Sequence, residues 1–168
     1  MRKSQSKKLY LLRHAQAESV APGVDDINKP LHSLGIIEAN QIASSFSENS
    51  ECPELIICSP AVRTYSTALI FGKRLGYQLD RIVLDKRIYE ADFRTLIKVV
   101  SQVNTHISSI LLVGHNPAIS QLAGCLDSEI APMSTASLIG FSFDAEDWKI
   151  AEVIRGLITY EDEEEEEE

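Results

Sequence analysis

The chain has 168 residues, of which 44% are hydrophobic and 24% are charged, so its length and composition are those of an ordinary single globular domain. The formal net charge is -9, but residues 161–168 supply eight acidic side chains, and without them the charge is -1. A nearly neutral body argues against nucleic-acid binding, which usually requires a basic face.

Nothing in the sequence predicts a membrane span or a secretion signal. No apolar run reaches the roughly 18 residues that a span needs. The basic stretch Met1–Lys8 is followed by an apolar run that ends at Arg13, which is too short for a signal peptide. The three cysteines form no CxxC pair, as is typical of reduced cytosolic thiols. We therefore expect a cytoplasmic protein with one domain over residues 1–160 and a disordered acidic tail over 161–168.

The first third of the chain predicts a strand, a long loop and a helix. Lys8–Leu12 is apolar enough for a buried strand. Gln16–Ser33 is polar and contains two prolines, which predicts a loop long enough to be functional. Leu34–Asn49 is predicted to be a helix, because its apolar residues fall at helical spacing. The residues that carry this spacing are Ile37, Ile42 and Phe46.

A second strand and helix follow. Leu55–Cys58 is continuously apolar and predicts another buried strand. Ser59 and Pro60 suit the N-cap and the first position of a helix, respectively. We expect that helix to run to about Leu75 and to stop at Gly76.

The rest of the chain continues the alternation. A second cap-plus-proline pair, Asn116 and Pro117, is predicted to open a helix that ends at Leu126. The segment that closes the domain is expected to be a pair of strands with a turn near Asp144–Asp147. The remaining predicted strands are Ile82–Leu84, Ile110–Val113, Ser137–Phe143 and Lys149–Ile158, and the remaining predicted helix is Phe93–Val103.

Short apolar strands that alternate with helices indicate an α/β fold. We expect a three-layer α/β/α sandwich, in which helices cover both faces of a mostly parallel sheet. In such sheets, ligands bind beyond the carboxyl ends of the strands.

Cationic and imidazole side chains follow three of the predicted strands. Arg13 and His14 end the first strand, Arg63 lies in the first turn after the second, and His115 follows Ile110–Val113. Because parallel strands place these ends on one edge, the side chains should converge there with two helix N-termini. Guanidinium forks and helix N-termini both bind phosphate oxygens. The sequence therefore predicts a phosphate pocket.

Three segments carry a family resemblance. Leu11–Ala15 is similar to the RHG signature of the histidine phosphatase superfamily, with Ala15 in place of the common glycine. Ser59–Ala68 resembles the second-arginine segment of that superfamily, and Val113–Pro117 resembles its second-histidine segment. The likeness runs from about Leu9 to Ser142, and the length and spacing resemble the compact SixA-like phosphohistidine phosphatases.

The resemblance implies a phosphoglycerate mutase-like fold and a role for each matched residue. His14 would be the nucleophile and would form a phosphohistidine intermediate, while Arg13, Arg63 and His115 would hold the phosphoryl oxygens. The chemistry would need no metal and no cofactor. Glu90 lies where many members carry a general acid, although SixA-like members often lack one.

Several alternatives remain open at this stage. The substrate is expected to be a phosphorylated protein, such as a phosphohistidine phosphorelay domain, because the chain lacks room for a lid over a small metabolite. A small phosphate ester or a phosphoserine protein is the second enzymatic hypothesis, and a phosphate- or phosphoprotein-binding module is the non-enzymatic one. His14, His115 and Glu90 could also ligate zinc, but Arg13 and Arg63 would repel a cation. Glu90 is equally consistent with a solvated surface carboxylate.

Overall fold

A five-stranded sheet with helices on both faces organises the part of the chain that the computed structural model describes, residues 6–19 and 21–154. The strands are β1 (Ser6–Arg13), β2 (Leu55–Cys58), β3 (Val83–Leu84), β4 (Ser109–Gly114) and β5 (Leu138–Asp144). The helices are α1 (Ser33–Asn49), α2 (Val62–Leu75), α3 (Phe93–Ser101) and α4 (Ala118–Leu126), and short 3-10 turns lie at Asp26–Asn28, Leu79–Arg81 and Lys86–Ile88.

The sheet is mostly parallel, as the sequence predicts. Its strand order is β3-β2-β4-β1-β5. Strand β4 pairs in parallel with β1 and β2, and β2 pairs in parallel with β3. Strand β5 is antiparallel to β1. The predicted three-layer α/β/α class is confirmed.

Strict alternation of side chains divides the core between the two faces of the sheet. Leu9 and Leu112 pack with α3 and α4 on one face, whereas Leu12 and Val113 pack with α1 and α2 on the other. All four side chains are buried. Strand segments buried on both faces must be apolar, which explains the continuous apolar runs in the middle of β1 and β4.

The chain leaves β1 and β4 toward opposite faces. Helix α1 follows β1 and belongs to one core layer, while α4 follows β4 and belongs to the other. Adjacent parallel strands whose helices diverge in this way leave a crevice at their carboxyl ends, where α/β proteins bind ligands. The fold thus places a crevice directly beyond Arg13 and Gly114.

Both helices that were predicted to open on a cap-plus-proline pair begin later than expected. Helix α2 starts at Val62 with Ala61 as its N-cap, and α4 starts at Ala118 with Pro117 as its N-cap. Neither N-cap makes a side-chain capping bond. Ser59 and Asn116 each accept one local bond, from the Ala61 N–H and the Ser120 hydroxyl. Each also bonds to a residue distant in sequence, as described below, so tertiary contacts share both side chains with the helix starts.

The predicted closing strand Lys149–Ile158 is wrong where the structure describes it. Residues 150–154 are helical, and Trp148, Ile150 and Ile154 are buried against the face that α3 and α4 cover. Ile150 and Ile154 are four residues apart, so a helix buries both on one side. Residues 155–158 and the predicted acidic tail 161–168 lie outside the described residues, and the single-domain boundary at 160 stays a prediction. Within the described ranges, no helix is both long and apolar enough to cross a membrane.

Helix α1 buries a different stripe from the one that its large apolar residues suggested. Its buried residues are small except for Phe46, and Ile37 is 54% exposed. Gly35 contacts the loop after β1 so closely that a Cβ there would lie 2.1 Å from the Gln16 backbone oxygen. Because Gln16 follows His14 by two residues, this contact fixes the start of the β1–α1 loop. The remaining buried residues of the helix are Ala39 and Ala43.

We predict that Gly35→Ala destabilises the protein by about 1–3 kcal/mol, because a backbone oxygen cannot move out of the way of the new methyl group. Gly124→Ala is the matched control. Gly124 also lies in a helix, but apart from the backbone of that helix no described atom lies within 4 Å of an added Cβ there, so this change should stabilise by about 0.4–1 kcal/mol. Urea unfolding of both variants measures the difference. Equal effects of the two substitutions would contradict the packing argument.

Candidate active site

The two histidines predicted from the sequence lie side by side in the crevice. The His14 backbone N–H donates to the Gly114 oxygen at 3.1 Å, which continues the β1–β4 pairing one step past the strand end. His115 follows Gly114, and the two imidazole ring centroids are 5.3 Å apart. On the other side, the N–H of Ala136 donates to the His14 oxygen at 3.1 Å. The backbone of His14 is thereby held between β4 and the loop before β5.

A backbone contact fixes the tautomer of His14. Its Nδ1 lies 2.7 Å from the Ala15 carbonyl oxygen. A carbonyl can only accept, so Nδ1 carries the proton and Nε2 keeps its lone pair. Ala15 is itself held, because its N–H donates to the Thr67 hydroxyl on α2.

Burial keeps the His14 ring neutral. Desolvation lowers its pKa from 6.5 to about 4, and the positive charges of Arg63 and Arg13 act in the same direction. The bond to Ala15 and the charge of Asp26 oppose this shift without cancelling it. His14 therefore presents an uncharged, unprotonated nitrogen at neutral pH.

His115 is neutral for similar reasons but is held differently. Its pKa falls to about 3 through burial first, and then through the nearby His14 and Arg63. Its Nε2 lies 2.8 Å from the Ser59 hydroxyl. The Tyr89 ring packs edge-on against it, with centroids 5.6 Å apart.

Arg13 is tied to the loop that precedes β5. One terminal nitrogen donates to the Met133 oxygen at 3.0 Å, and the Asn116 amide donates to the same oxygen at 2.9 Å. Burial lowers the Arg13 pKa, while the charge of Glu38 raises it. The Nε of Arg13 is buried and has no hydrogen-bond partner among the described residues.

Arg63 is only 9% exposed and is paired with the long loop after β1. One terminal nitrogen donates to the Asp26 backbone oxygen at 2.7 Å, and the other donates to the Asp26 carboxylate at 3.0 Å. These bonds use two of the five N–H groups of the guanidinium. Three N–H groups remain, enough for a fork on a phosphoryl group.

Sequence reasoning missed Asp26, which the fold brings to the site. The Tyr89 hydroxyl also donates to its carboxylate, at 2.7 Å. These two bonds hold the pKa of Asp26 well below its usual range, with the tyrosine contact contributing most. The reciprocal effect raises the pKa of Tyr89 to about 12. An aspartate in a 3-10 turn of a polar loop carries no sequence signal for this pairing.

Glu90 stands apart from the histidines and arginines. It is exposed, and it adopts a left-handed backbone conformation with φ 56°. Its neighbour Tyr89 faces the site, but no described contact joins the Glu90 carboxylate to His14 or His115.

Thr135, in the loop before β5, donates to the Glu38 carboxylate at 3.2 and 3.3 Å.

The zinc hypothesis requires three ligands at one place. Within residues 6–19 and 21–154, no three His, Cys, Asp or Glu side chains are grouped to hold a metal ion. Glu90 in particular does not join the two histidines.

Taken together, the crevice is equipped for phosphoryl transfer. It contains a neutral imidazole with a free nitrogen, a second neutral imidazole, and two arginines, at the edge where an α/β sheet binds ligands. This combination of fold and site is suited to a protein that binds and transfers phosphoryl groups.

The chain belongs to the histidine phosphatase superfamily (branch 1), whose family model matches residues 9–107. Arg13, His14, Arg63 and Glu90 lie inside the matched region, whereas His115 lies beyond it. The family match and the shared fold support a phosphatase, that is, a hydrolase.

Individual relatives agree with this assignment. A protein of Hydrogenobacter thermophilus named "Putative phosphoserine phosphatase 2" is 37% identical over 89 residues, which are 52% of this chain and 41% of that protein. The chain therefore matches less than half the length of that relative. The solved structure of "the putative phosphohistidine phosphatase SixA" from Agrobacterium tumefaciens is 28% identical, covers 80% of this chain and 89% of its own, and superposes with a TM-score of 0.73. A "protein histidine phosphatase SixA complexed with tungstate" shares the fold with a TM-score of 0.69 at 20% identity, covering 79% of this chain and 86% of that chain. The expected phosphoglycerate mutase-like, SixA-like fold is confirmed.

The lowered pKa values predict how the site responds to acid. Because the neutral form of His14 is the reactive one, kcat/KM should stay on its plateau below pH 6.5 and fall only near pH 4. Between about pH 4 and 6.5 the unfolded chain binds more protons at these histidines than the folded chain, so folding stability should decrease as pH falls through that window. A pH–rate profile and an NMR titration of the ring signals measure both effects.

The same rings in urea-unfolded protein provide the reference for that titration, since unfolded histidine titrates near 6.5. Site histidines that titrated near 6.5 in the folded protein would contradict the desolvated crevice.

Proposed function

We propose that this phosphatase removes the phosphoryl group from phosphohistidine on a protein, through a covalent intermediate on His14. The proposal assigns the chemistry to the four residues predicted from the sequence, which are Arg13, His14, Arg63 and His115. The choice of substrate rests on the ionisation of Asp26. Its charge acts on both histidines, and its pKa is held low, so it carries no proton that it could give to a leaving group.

The first step is attack by His14 on phosphorus. The Nε2 lone pair forms the new P–N bond, and the P–N bond of the substrate breaks. The substrate imidazole leaves as a neutral ring, because its second ring nitrogen has taken a proton from water. The His14 ring then carries a positive charge, which the Ala15 carbonyl stabilises through the proton on Nδ1. In the second step, water attacks the phosphorylated His14, and orthophosphate and the neutral imidazole are released.

The cationic groups position the phosphoryl oxygens. Arg13 contributes its unpartnered Nε edge, Arg63 the N–H groups that Asp26 does not use, and His115 a neutral ring beside His14. Phosphoryl transfer depends mainly on such positioning and charge stabilisation. No step requires a metal or a cofactor.

The leaving group separates the two enzymatic hypotheses. A serine or sugar alkoxide needs a proton delivered as it leaves. The second nitrogen of a phosphohistidine ring, with an ordinary pKa of about 6.5, can take a proton from water, and the ring then leaves as neutral imidazole with much less help from the enzyme. Asp26 stays ionised because Tyr89 and Arg63 donate to it, and the raised pKa of Tyr89 makes that hydroxyl a poor acid. Glu90 is exposed and makes no described contact with the histidines. A site without an evident acid favours the phosphoramidate bond of phosphohistidine.

The partner is accordingly a phosphorylated protein of the phosphorelay kind. The relative named as a phosphoserine phosphatase keeps the ester hypothesis as the second candidate, with a phosphoserine protein or a small phosphate ester as substrate. A binding module without turnover is disfavoured, since His14 keeps a free, neutral nitrogen. A cytoplasmic location stays a prediction.

We predict that His14→Ala reduces turnover to below about one hundredth of the wild-type value, because the covalent step loses its nucleophile. Wild-type enzyme quenched in acid-free denaturant after reaction with a labelled substrate should carry label on His14, and the variant should carry none. His106→Ala is the control, since His106 is exposed and precedes β4, whereas the site lies beyond the opposite end of that strand. Turnover by His14→Ala comparable to that of the control would contradict a covalent role.

Competition between substrates tests the leaving-group argument. We expect kcat/KM for a phosphohistidine protein to exceed that for phosphoserine peptides and alkyl phosphates by about a hundredfold or more, the usual scale of missing acid catalysis. Glu90→Gln should leave phosphohistidine hydrolysis unchanged within about twofold. Glu51→Gln, another exposed glutamate, controls for the loss of one surface charge.

Two outcomes would redirect the proposal. If Glu90→Gln slowed the hydrolysis of alkyl phosphates about a hundredfold but spared phosphohistidine, Glu90 would be the general acid and the ester hypothesis would gain support. If esters were hydrolysed as fast as phosphohistidine by the wild-type enzyme, the phosphohistidine preference would be refuted.

A further inference from the structure

The hydroxyl of Ser59 makes two hydrogen bonds in a fully buried position. Ser59 is 0% exposed, and its Oγ lies 3.2 Å from the Ala61 nitrogen and 2.8 Å from Nε2 of His115. Sequence reasoning assigned this residue to helix capping, but α2 begins at Val62 with no side-chain cap. The hydroxyl thus links the β2–α2 turn to the histidine that follows β4.

The donors and acceptors in this pair can be assigned by elimination. The Ala61 N–H can only donate, so the Ser59 oxygen accepts from it. A buried hydroxyl proton also needs an acceptor, and among the described residues His115 Nε2 is the acceptor within reach. Ser59 therefore donates its proton to Nε2, which must carry a lone pair. Since the His115 ring is neutral at physiological pH, its own proton lies on Nδ1.

Among the residues that the structure describes, that proton has no partner. His115 Nδ1 is buried and makes no hydrogen bond to any described residue. The two ring nitrogens lie on different edges of the imidazole, so Nδ1 points away from Ser59. The charged groups that act on this ring include Arg63 and Arg13, the proposed phosphate ligands. An unpaired buried donor next to those arginines is suited to bind an anion.

We propose that Ser59 is a positioning residue that fixes His115 in the Nδ1–H tautomer, so that Nδ1 donates to a phosphoryl oxygen. This inference rests on the proposed function for the identity of the anion. With the opposite tautomer, a lone pair at Nδ1 would face the phosphoryl oxygen and repel it. Ser59 thereby converts a neutral imidazole into a directed donor without giving it a charge.

The tautomer can be measured directly in the free enzyme. In ¹⁵N-histidine-labelled protein, long-range ¹H–¹⁵N spectra distinguish a protonated ring nitrogen from an unprotonated one, and the signals that vanish in His115→Gln identify this ring. We expect His115 of the wild type to show a protonated Nδ1 and an unprotonated Nε2. The opposite pattern, or two protonated nitrogens at neutral pH, would overturn the inference before any variant of Ser59 is made.

Variants then test whether Ser59 causes the tautomer. Ser59→Ala should shift His115 toward the Nε2–H form, lower kcat/KM by about 10- to 100-fold and raise the inhibition constant of orthophosphate by about tenfold, as expected for a lost charge-assisted hydrogen bond. Ser59→Thr keeps the hydroxyl and should retain the tautomer.

The matched control is Thr64→Val. The Thr64 hydroxyl is buried in the same turn and donates to the Ser59 and Ala61 carbonyl oxygens, but it does not reach His115. This variant should lose stability while the His115 ring signals and the orthophosphate affinity stay unchanged. If Ser59→Ala left the tautomer unchanged, or if Thr64→Val altered it equally, Ser59 would be merely structural.

The spectra also separate this inference from the proposed function. A wild-type His115 in the Nδ1–H form that switches in Ser59→Ala would support the positioning role, even if phosphohistidine proved not to be the substrate. If phosphohistidine were not the preferred substrate, the substrate proposal would be refuted, but the measured tautomer of His115 would still support the positioning role of Ser59.

Discussion

Desolvation of two imidazoles at the junction of β1 and β4 is the constraint on which the rest of the site depends. A histidine in water is half protonated near pH 6.5, and a protonated ring cannot attack phosphorus. Burial between the diverging helices lowers the pKa values of His14 and His115 to about 4 and about 3. The same burial requires each ring to find fixed partners, which the Ala15 carbonyl and the Ser59 hydroxyl supply. Nucleophilicity and tautomer are thus set by the same packing.

The arginines set a second constraint, because two positively charged guanidinium groups lie beside the neutral rings. Asp26 offsets part of this charge by accepting from Arg63, and the Tyr89 hydroxyl also donates to Asp26. The three side chains come from the loop after β1, from α2 and from the turn before α3. The ion pair therefore also holds the long loop against the body of the domain, and it leaves enough N–H groups on Arg63 for an anion.

The sequence predicted the histidines and arginines of the site better than the residues that hold them in place. Arg13, His14 and His115 were predictable because each directly follows a strand whose apolar run is unmistakable, and parallel strands bring their ends together. Asp26 was not, since its pairing depends on how an 18-residue polar segment folds back, which no periodicity encodes. Ser59 was assigned to helix capping alone, because local capping rules do not anticipate its contact with His115 at the end of the neighbouring strand.

The closing segment failed for a related reason. Residues 149–158 were predicted as the second strand of a closing pair, but Ile150 and Ile154 also fit a helix, and the face covered by α3 and α4 accommodates that helix. Short apolar segments satisfy both periods, and only the partner surface decides between them. The capping prediction for Ser59 was incomplete and the strand prediction for residues 149–158 was wrong for the same reason. In both cases the local sequence pattern does not specify the contacts with residues far away in sequence that determine the structure.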